Sequence, residues 1–285
     1  MVQSIRMLAT VCAALLFGAG AQASAQRITN SAHAHRNDTG GQLSSARMAA
    51  IPAGRYLPLY ATGKSGTQVA AFRIDAMPVT RAEFLAFVSE HAQWRRSGVD
   101  TARAQRGSYL RSWVGDLDAG NSNDMLRPVT DVSWYAANAY CRAVGKRLPS
   151  LAEWEYVAAA SATQRDASAD PRQVQQQLAM YTTRPAIPLP LTGAARNVYG
   201  VSGLHDRVWE WVSDANSAIA SANHAEHLKQ GAHATGTASE HDMSCAGSAL
   251  GAADPRNYPA FLRYALRSTL TPTSAMQSLG FRCAM

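Results

Sequence analysis

Residues 145–160 read GKRLPSLAEWEYVAAA, and their punctuation decides how the middle of the chain folds. Gly145 can take the left-handed turn that ends a preceding helix, and Pro149 stops that helix from running on. Ser150 then offers an N-cap with Glu153 three residues later. Ser-x-x-Glu is a capping box, and it opens a second helix carrying Trp154, Glu155 and Tyr156. Upstream, Ser133 caps the first helix, whose apolar stripe is Trp134, Ala137, Cys141 and Val144. The stretch therefore predicts a helix–turn–helix corner that turns Cys141 inward and carries Trp154 and Tyr156 into a core.

The rest of the chain is built around that corner. Its 285 residues can bury a sizeable core, and 47% hydrophobic with 16% charged residues is the balance of an ordinary globular protein. The net charge of +7 comes from scattered Lys and Arg, with no basic run interleaved with aromatics, so a nucleic-acid partner is not expected. From Met48, MAAIPAGRYLPLY and VAAFRIDAMPVT read as strands. Thr80 and Glu83 form a second capping box before a helix with the core stripe Phe84, Phe87 and Val88. Residues 95–128 are loop-rich, and their acidic stretch GDLDAGNSND departs from the spacing of a calcium-binding helix–loop–helix and reads as a solvated turn. Residues 161–196 show no periodicity and carry Pro185, Pro188 and Pro190, whereas VWEWV at 208–212 alternates like a core strand. His224, His227, His233 and His241 fall in one Ala-rich loop over 217–243 and read as solvated.

The N-terminus predicts export. Arg6, the apolar stretch Met7–Ala21 and the small residues Ala21-Gln22-Ala23 and Ala23-Ser24-Ala25 make residues 1–25 a cleavable signal, too short to span a membrane. Residues 26–47 form a flexible leader, and 48–285 the domain. Cys12 lies inside the apolar run after Val11, so no lipid or membrane anchor is expected after cleavage, and the mature chain belongs in the periplasm. Three cysteines then remain, Cys141, Cys245 and Cys283. In an oxidising compartment the simplest arrangement is one disulfide and one free thiol. A bond from inward-facing Cys141 to Cys283 would hold the C-terminus against the core and stabilise by about 3–5 kcal/mol.

Four segments occur in a familiar order: PVTRAEFLAFV, PVTDVSWYAANAYCRAVGKRLPSLAEWEYVAAA, NVYGVSGLHDRVWEWVSD and LGFRC. Together they resemble the sulfatase-modifying-factor family, whose founding member is the formylglycine-generating enzyme, over roughly residues 48–285. The resemblance implies an α+β fold related to the C-type lectins: one domain with much irregular structure. It also implies that Cys141 and Cys283 are the family's structural disulfide, and that Ala158 and Tyr264 stand where a second one would be.

The family's enzymes use two cysteine thiolates near the C-terminus to bind copper(I), a soft ion suited to soft ligands. No cysteine lies between Ser248 and Cys283, so the resemblance stops short of that chemistry, and neither copper nor iron has a clear ligand set. The catalytic candidates are Cys245, Ser248, Asp254, Tyr258 and Tyr264. Trp209, Ser248, Arg263 and Arg267 match positions of the family's substrate groove, where the arginines suit an anionic or peptide ligand. The family's calcium site reduces here to Asp206, the Val208 carbonyl and Glu210, with Gly203 in place of a side-chain ligand. Three functions follow as expectations. The first is an accessory or maturation factor for a periplasmic protein or peptide partner. It is closest to the NirV-type proteins encoded beside copper nitrite reductases, on the PLY strand, WVGDLDAG and CAGSALGAADP. The second is a periplasmic non-heme-metal oxidoreductase of the PvdO type, and the third a peptide- or glycan-binding module.

Overall fold

A computed structural model describes residues 48–60, 66–215 and 257–285. The expected export signal and leader, Cys245, Ser248, Asp254 and the four loop histidines lie outside the described residues. The described residues form three small sheets tied together by helices and long irregular connections. Strand β1 (Met48–Ile51) pairs antiparallel with β4 (Phe72–Asp75), in the register Met48 to Asp75 and Ile51 to Phe72. Between them β2 (Gly54–Tyr56) and β3 (Thr67–Val69) make a second antiparallel pair. Ile51, Phe72 and Ile74 face the core, the period-two alternation expected of half-buried strands.

Both capping boxes form. Thr80 accepts a hydrogen bond from the Glu83 amide and opens α1 (Arg81–Glu90), which buries Phe84, Phe87 and Val88. Ser133 caps α2 (Trp134–Ala143), and Ser150 with Glu153 opens α3 (Leu151–Ala158). Gly145 between them has φ of +71°, the left-handed turn its type favours. The buried face of α2 is Ala136, Ala137, Tyr140 and Cys141. Val144, expected on that stripe, is 39% exposed. The helix ends at Ala143, so Val144 no longer follows the helical period.

The C-terminal segment closes the core. Cys283 is bonded to Cys141 with Cα atoms 5.6 Å apart, and neither sulfur-bearing residue is exposed. Arg147 and Ala284 exchange backbone hydrogen bonds of 2.9 and 2.7 Å, and Arg73 and Met285 exchange two more. The chain end thus runs between β4 and the corner. Alternating VWEWV contributes only a two-residue strand, β5 (Trp209–Glu210), paired in parallel with β6 (Leu279–Gly280).

Two helices depart from the sequence reading. The stretch without apolar period contains α4 (Pro171–Thr182), capped by Asp170 with Pro171 in its first turn. Gln177 is its buried residue, so no apolar stripe advertises it. Asn257 caps α5 (Tyr258–Thr269), whose buried face is Pro259, Ala260, Arg263, Tyr264 and Arg267. That face keeps helical spacing but is partly charged. The two helices pack on each other. No helix among the described residues is long and apolar enough to cross a membrane.

Candidate functional site

Helices α3, α4 and α5 enclose a buried polar network. Glu155 of α3 is 5% exposed. It accepts from Arg263 Nε at 3.0 and 3.1 Å, from Arg263 Nη2 at 2.7 Å and from Arg267 Nη1 at 2.6 Å. Burial alone would raise the carboxyl. The charges of Arg263 and Arg267 and their hydrogen bonds outweigh it and hold Glu155 down at about 2. The Trp154 ring is shared between this cluster and another. Its face lies 4.9 Å from the Arg267 guanidinium and 5.6 Å from that of Arg263, and its Nε1 donates to Glu210 at 2.7 Å.

From Arg263 the hydrogen bonds run on in one direction. Arg263 Nη1 donates to the Tyr181 hydroxyl at 2.9 Å, which in turn meets His205 Nδ1 at 2.9 Å, while His205 Nε2 meets the Ala158 carbonyl at 3.1 Å. A carbonyl can only accept, so Nε2 carries the proton and Nδ1 accepts from Tyr181. Burial, with the nearby Arg263 charge, lowers the His205 pKa to about 3, so the ring is neutral in ordinary buffers. Beside this chain Trp209 packs on Tyr181 at 4.7 Å between ring centres and lies under the Arg184 guanidinium at 4.3 Å.

A pocket of about 30 Å³ opens between β2 and α5, lined by Tyr56, Leu57, Glu155, Asn257, Arg263 and Tyr264. That is room for one or two water-sized molecules. Tyr264 hydrogen-bonds Tyr56, and its ring meets Tyr60 edge-on at 5.6 Å. Burial raises both phenols, Tyr56 to about 12 and Tyr264 further, the latter also through the Glu155 charge. Ala158 lines the same pocket, which brings together the two positions that would carry a second family disulfide.

The candidate residues are thus distributed unevenly. Tyr264, Arg263, Arg267 and Trp209 gather around Glu155, Tyr181 and His205. Arg263 and Arg267 are not open groove donors, because each is 4% exposed and tied to Glu155. Tyr258 is 53% exposed, with its ring tilted against Phe261 at 5.6 Å between centres. Glu155, Tyr181 and His205 carry the network and escaped the sequence reading. The one signal for Glu155 was a carboxylate on the inward side of a capped helix.

The residues present do not fit calcium at 203–210. Both Glu210 oxygens are held by Arg282, Nε to Oε2 at 2.7 Å and Nη2 to Oε1 at 2.8 Å. Asp206 pairs with Arg207, and Val208 is fully buried. Calcium takes six to eight oxygens, so two carboxylates already neutralised by guanidinium groups are a poor donor set. Among the described residues no group of three or more His, Cys, Asp or Glu side chains is placed to share a metal ion. A two-thiolate copper site does not fit either. The chain has four cysteines, two of them joined in the disulfide, leaving Cys12 and Cys245, 233 positions apart in the sequence.

Comparison with known proteins gives the family of the chain. The family model described as "Sulfatase-modifying factor enzyme 1-like domain" matches residues 34–285. The formylglycine-generating enzyme of Streptomyces coelicolor is 33% identical over 250 residues, covering 75% of this chain and 77% of that protein. The inactive C-alpha-formylglycine-generating enzyme 2 of Bos taurus is 27% identical over 256 residues, covering 76% and 77%. The solved structure of PvdO from Pseudomonas aeruginosa superposes with a TM-score of 0.41 at 19% identity, covering 83% of this chain and 93% of that one. With the family model matching most of its length, the chain belongs to the sulfatase-modifying factor enzyme 1-like domain family.

Proposed function

We propose that this family member is an exported accessory or maturation factor for a periplasmic system of the copper nitrite reductase type. It acts by binding a protein or peptide partner rather than by making formylglycine. The observation that carries this reading is the state of Glu155, Tyr56 and Tyr264 at the pocket and of His205 in the hydrogen-bond chain beside it. Glu155 is held near 2, His205 near 3 and Tyr56 near 12, with Tyr264 also raised. A general acid or base works best with a pKa close to the operating pH. Glu155, His205, Tyr56 and Tyr264 each keep one protonation state across the neutral range. The cysteine count adds support, since the known copper mechanism of the family needs two free thiolates and Cys245 is the single one left in the domain. A family relative is itself named as inactive, so the scaffold serves members without the founding activity. The NirV-type assignment rests on the PLY, WVGDLDAG and CAGSALGAADP segments.

The test pairs two measurements on the mature protein. A cysteine-containing sulfatase peptide is incubated with protein, copper(I) and oxygen and examined by mass spectrometry, and a copper nitrite reductase is titrated into labelled protein. The expected result is an unmodified peptide and a saturable complex with the reductase. Conversion of the peptide cysteine to an aldehyde, or failure of the reductase to bind at tens of micromolar, sinks the proposal.

A further inference from the structure

The misfit at 203–210 has a positive counterpart. Arg282 is fully buried and spends its guanidinium on three separate parts of the fold. Beside its two bonds to Glu210 of β5, Nη1 donates to the Asp75 carbonyl at the end of β4 at 3.0 Å, and Nη2 to the Ser202 carbonyl at 2.9 Å. Trp154 completes the shell of Glu210 from α3. Arg207 does a parallel job one loop away. It pairs with Asp206 and donates from Nε to the Pro190 carbonyl at 3.0 Å. Its Cγ lies 3.2 Å from where a Cβ on residue 203 would stand, with Pro78 at 3.3 Å on the other side, and Gly203 has φ of +73°. A ligating side chain at 203 would be strained by the positive φ and crowded by Arg207 and Pro78.

The charges close as well. The two carboxylates of Asp206 and Glu210 face the two guanidinium groups of Arg207 and Arg282, and the Arg184 cation also feels both carboxylates. A divalent cation entering this corner would meet net positive charge and oxygens already committed as acceptors. A guanidinium also supplies several directed donors from one planar group, which lets it gather carbonyls and a carboxylate much as a metal gathers oxygens.

We infer that Arg207 and Arg282 form a built-in cation lock that ties the 202–210 loop to β4, β5 and α3, so that this corner folds without a divalent metal ion. The test is thermal unfolding of the mature full chain in 1 mM CaCl2 and in 1 mM EDTA. A site with a dissociation constant near 10 µM would raise Tm by about 5 °C or more at that calcium concentration. The lock predicts a difference below about 1 °C by the same arithmetic. A calcium-dependent rise that disappears in Asp206→Asn or Glu210→Gln overturns it. A rise that persists in both variants places calcium elsewhere and leaves the lock standing. Should Glu210→Gln not fold, Asp206→Asn, which alters a partly exposed pair, still decides. The lock itself is read from Arg207→Gln, which is expected to lower Tm by about 3 °C or more with no recovery on adding calcium. An unchanged Tm refutes the role given to Arg207.

Discussion

Replacing Glu155 by glutamine keeps the shape of the side chain and removes its charge. Arg263 and Arg267 would then face each other buried and without a counter-ion. Two routes give the size of the effect. Breaking a buried ion pair from one side typically costs about 3–5 kcal/mol. Independently, the Glu155 carboxyl falls from 4.5 to about 2 on folding. At 1.36 kcal/mol per unit this is about 3 kcal/mol of preference for the ionised form. Against the 5–15 kcal/mol typical of a whole domain, that is a large fraction. The sign of the pH dependence follows. A depressed folded pKa contributes stability fully above 4.5, which is lost as pH falls toward 2. His205 also binds its proton less readily when folded, so its contribution is present above 6.5 and lost as pH falls toward 3. Wild-type protein should therefore weaken in two overlapping steps on acidification. Glu155→Gln should be about 3–5 kcal/mol less stable at pH 7 and should show a shallower fall below 4.5, where Glu153 and Asp116 are also lowered, while keeping the step that begins at 6.5. Urea unfolding followed by tryptophan fluorescence suits the measurement, because Trp154 lies against both arginines. A loss under about 1 kcal/mol, or an acid profile indistinguishable from wild type, would refute the reasoning that the triad is a coupled buried charge cluster.

Three further outcomes follow from geometry. Cys141 and Cys283 close a loop of 142 residues, so the Cys141→Ser, Cys283→Ser double variant should lose up to about 5 kcal/mol in non-reducing urea titrations. Because both cysteines are fully buried, dithiothreitol should leave the native bond intact, with no thiol labelling of Cys141 or Cys283 in the folded protein. Gly54→Ala would set a Cβ 2.2 Å from the Tyr156 hydroxyl oxygen and 2.7 Å from its ring. An expected loss of about 1–3 kcal/mol from overpacking can be read from the shift of its urea midpoint.

The parts of the fold legible in the sequence are those whose cause is local. A glycine at φ of +71°, a proline behind it and two Ser/Thr-x-x-Glu boxes dictate backbone geometry within a few residues, so the corner and α1 can be read directly. Helix α4 escapes because its one buried residue is Gln177, and periodicity of apolar residues says nothing about a helix that buries a glutamine. Its legible signal was the Asp170–Pro171 cap. Helix α5 escapes for a stronger reason. Its inward positions recur with helical spacing, but two of them are arginines, and a pattern search that equates inward with apolar discards them.

That substitution of charge for hydrocarbon also decides how the candidate site must be understood. Arg263 and Arg267 look from the sequence like groove donors waiting for an anionic ligand, since isolated arginines are rarely buried. What changes their role is Glu155, 108 and 112 residues away in the chain, and no local rule connects positions so distant. Once the carboxylate is in place, the arginines stop being recognition groups and become part of the scaffold. The same holds for Glu210, which reads as a ligand until Arg282 reaches it from 72 residues away. Trp154 stands between the two clusters and touches both, so the corner that opens the reading of this chain is also the wall on which both charge networks lean. A partner-binding surface should therefore be sought beside these clusters, around Leu57 at the pocket rim and the exposed ring of Tyr258, where side chains still face outward.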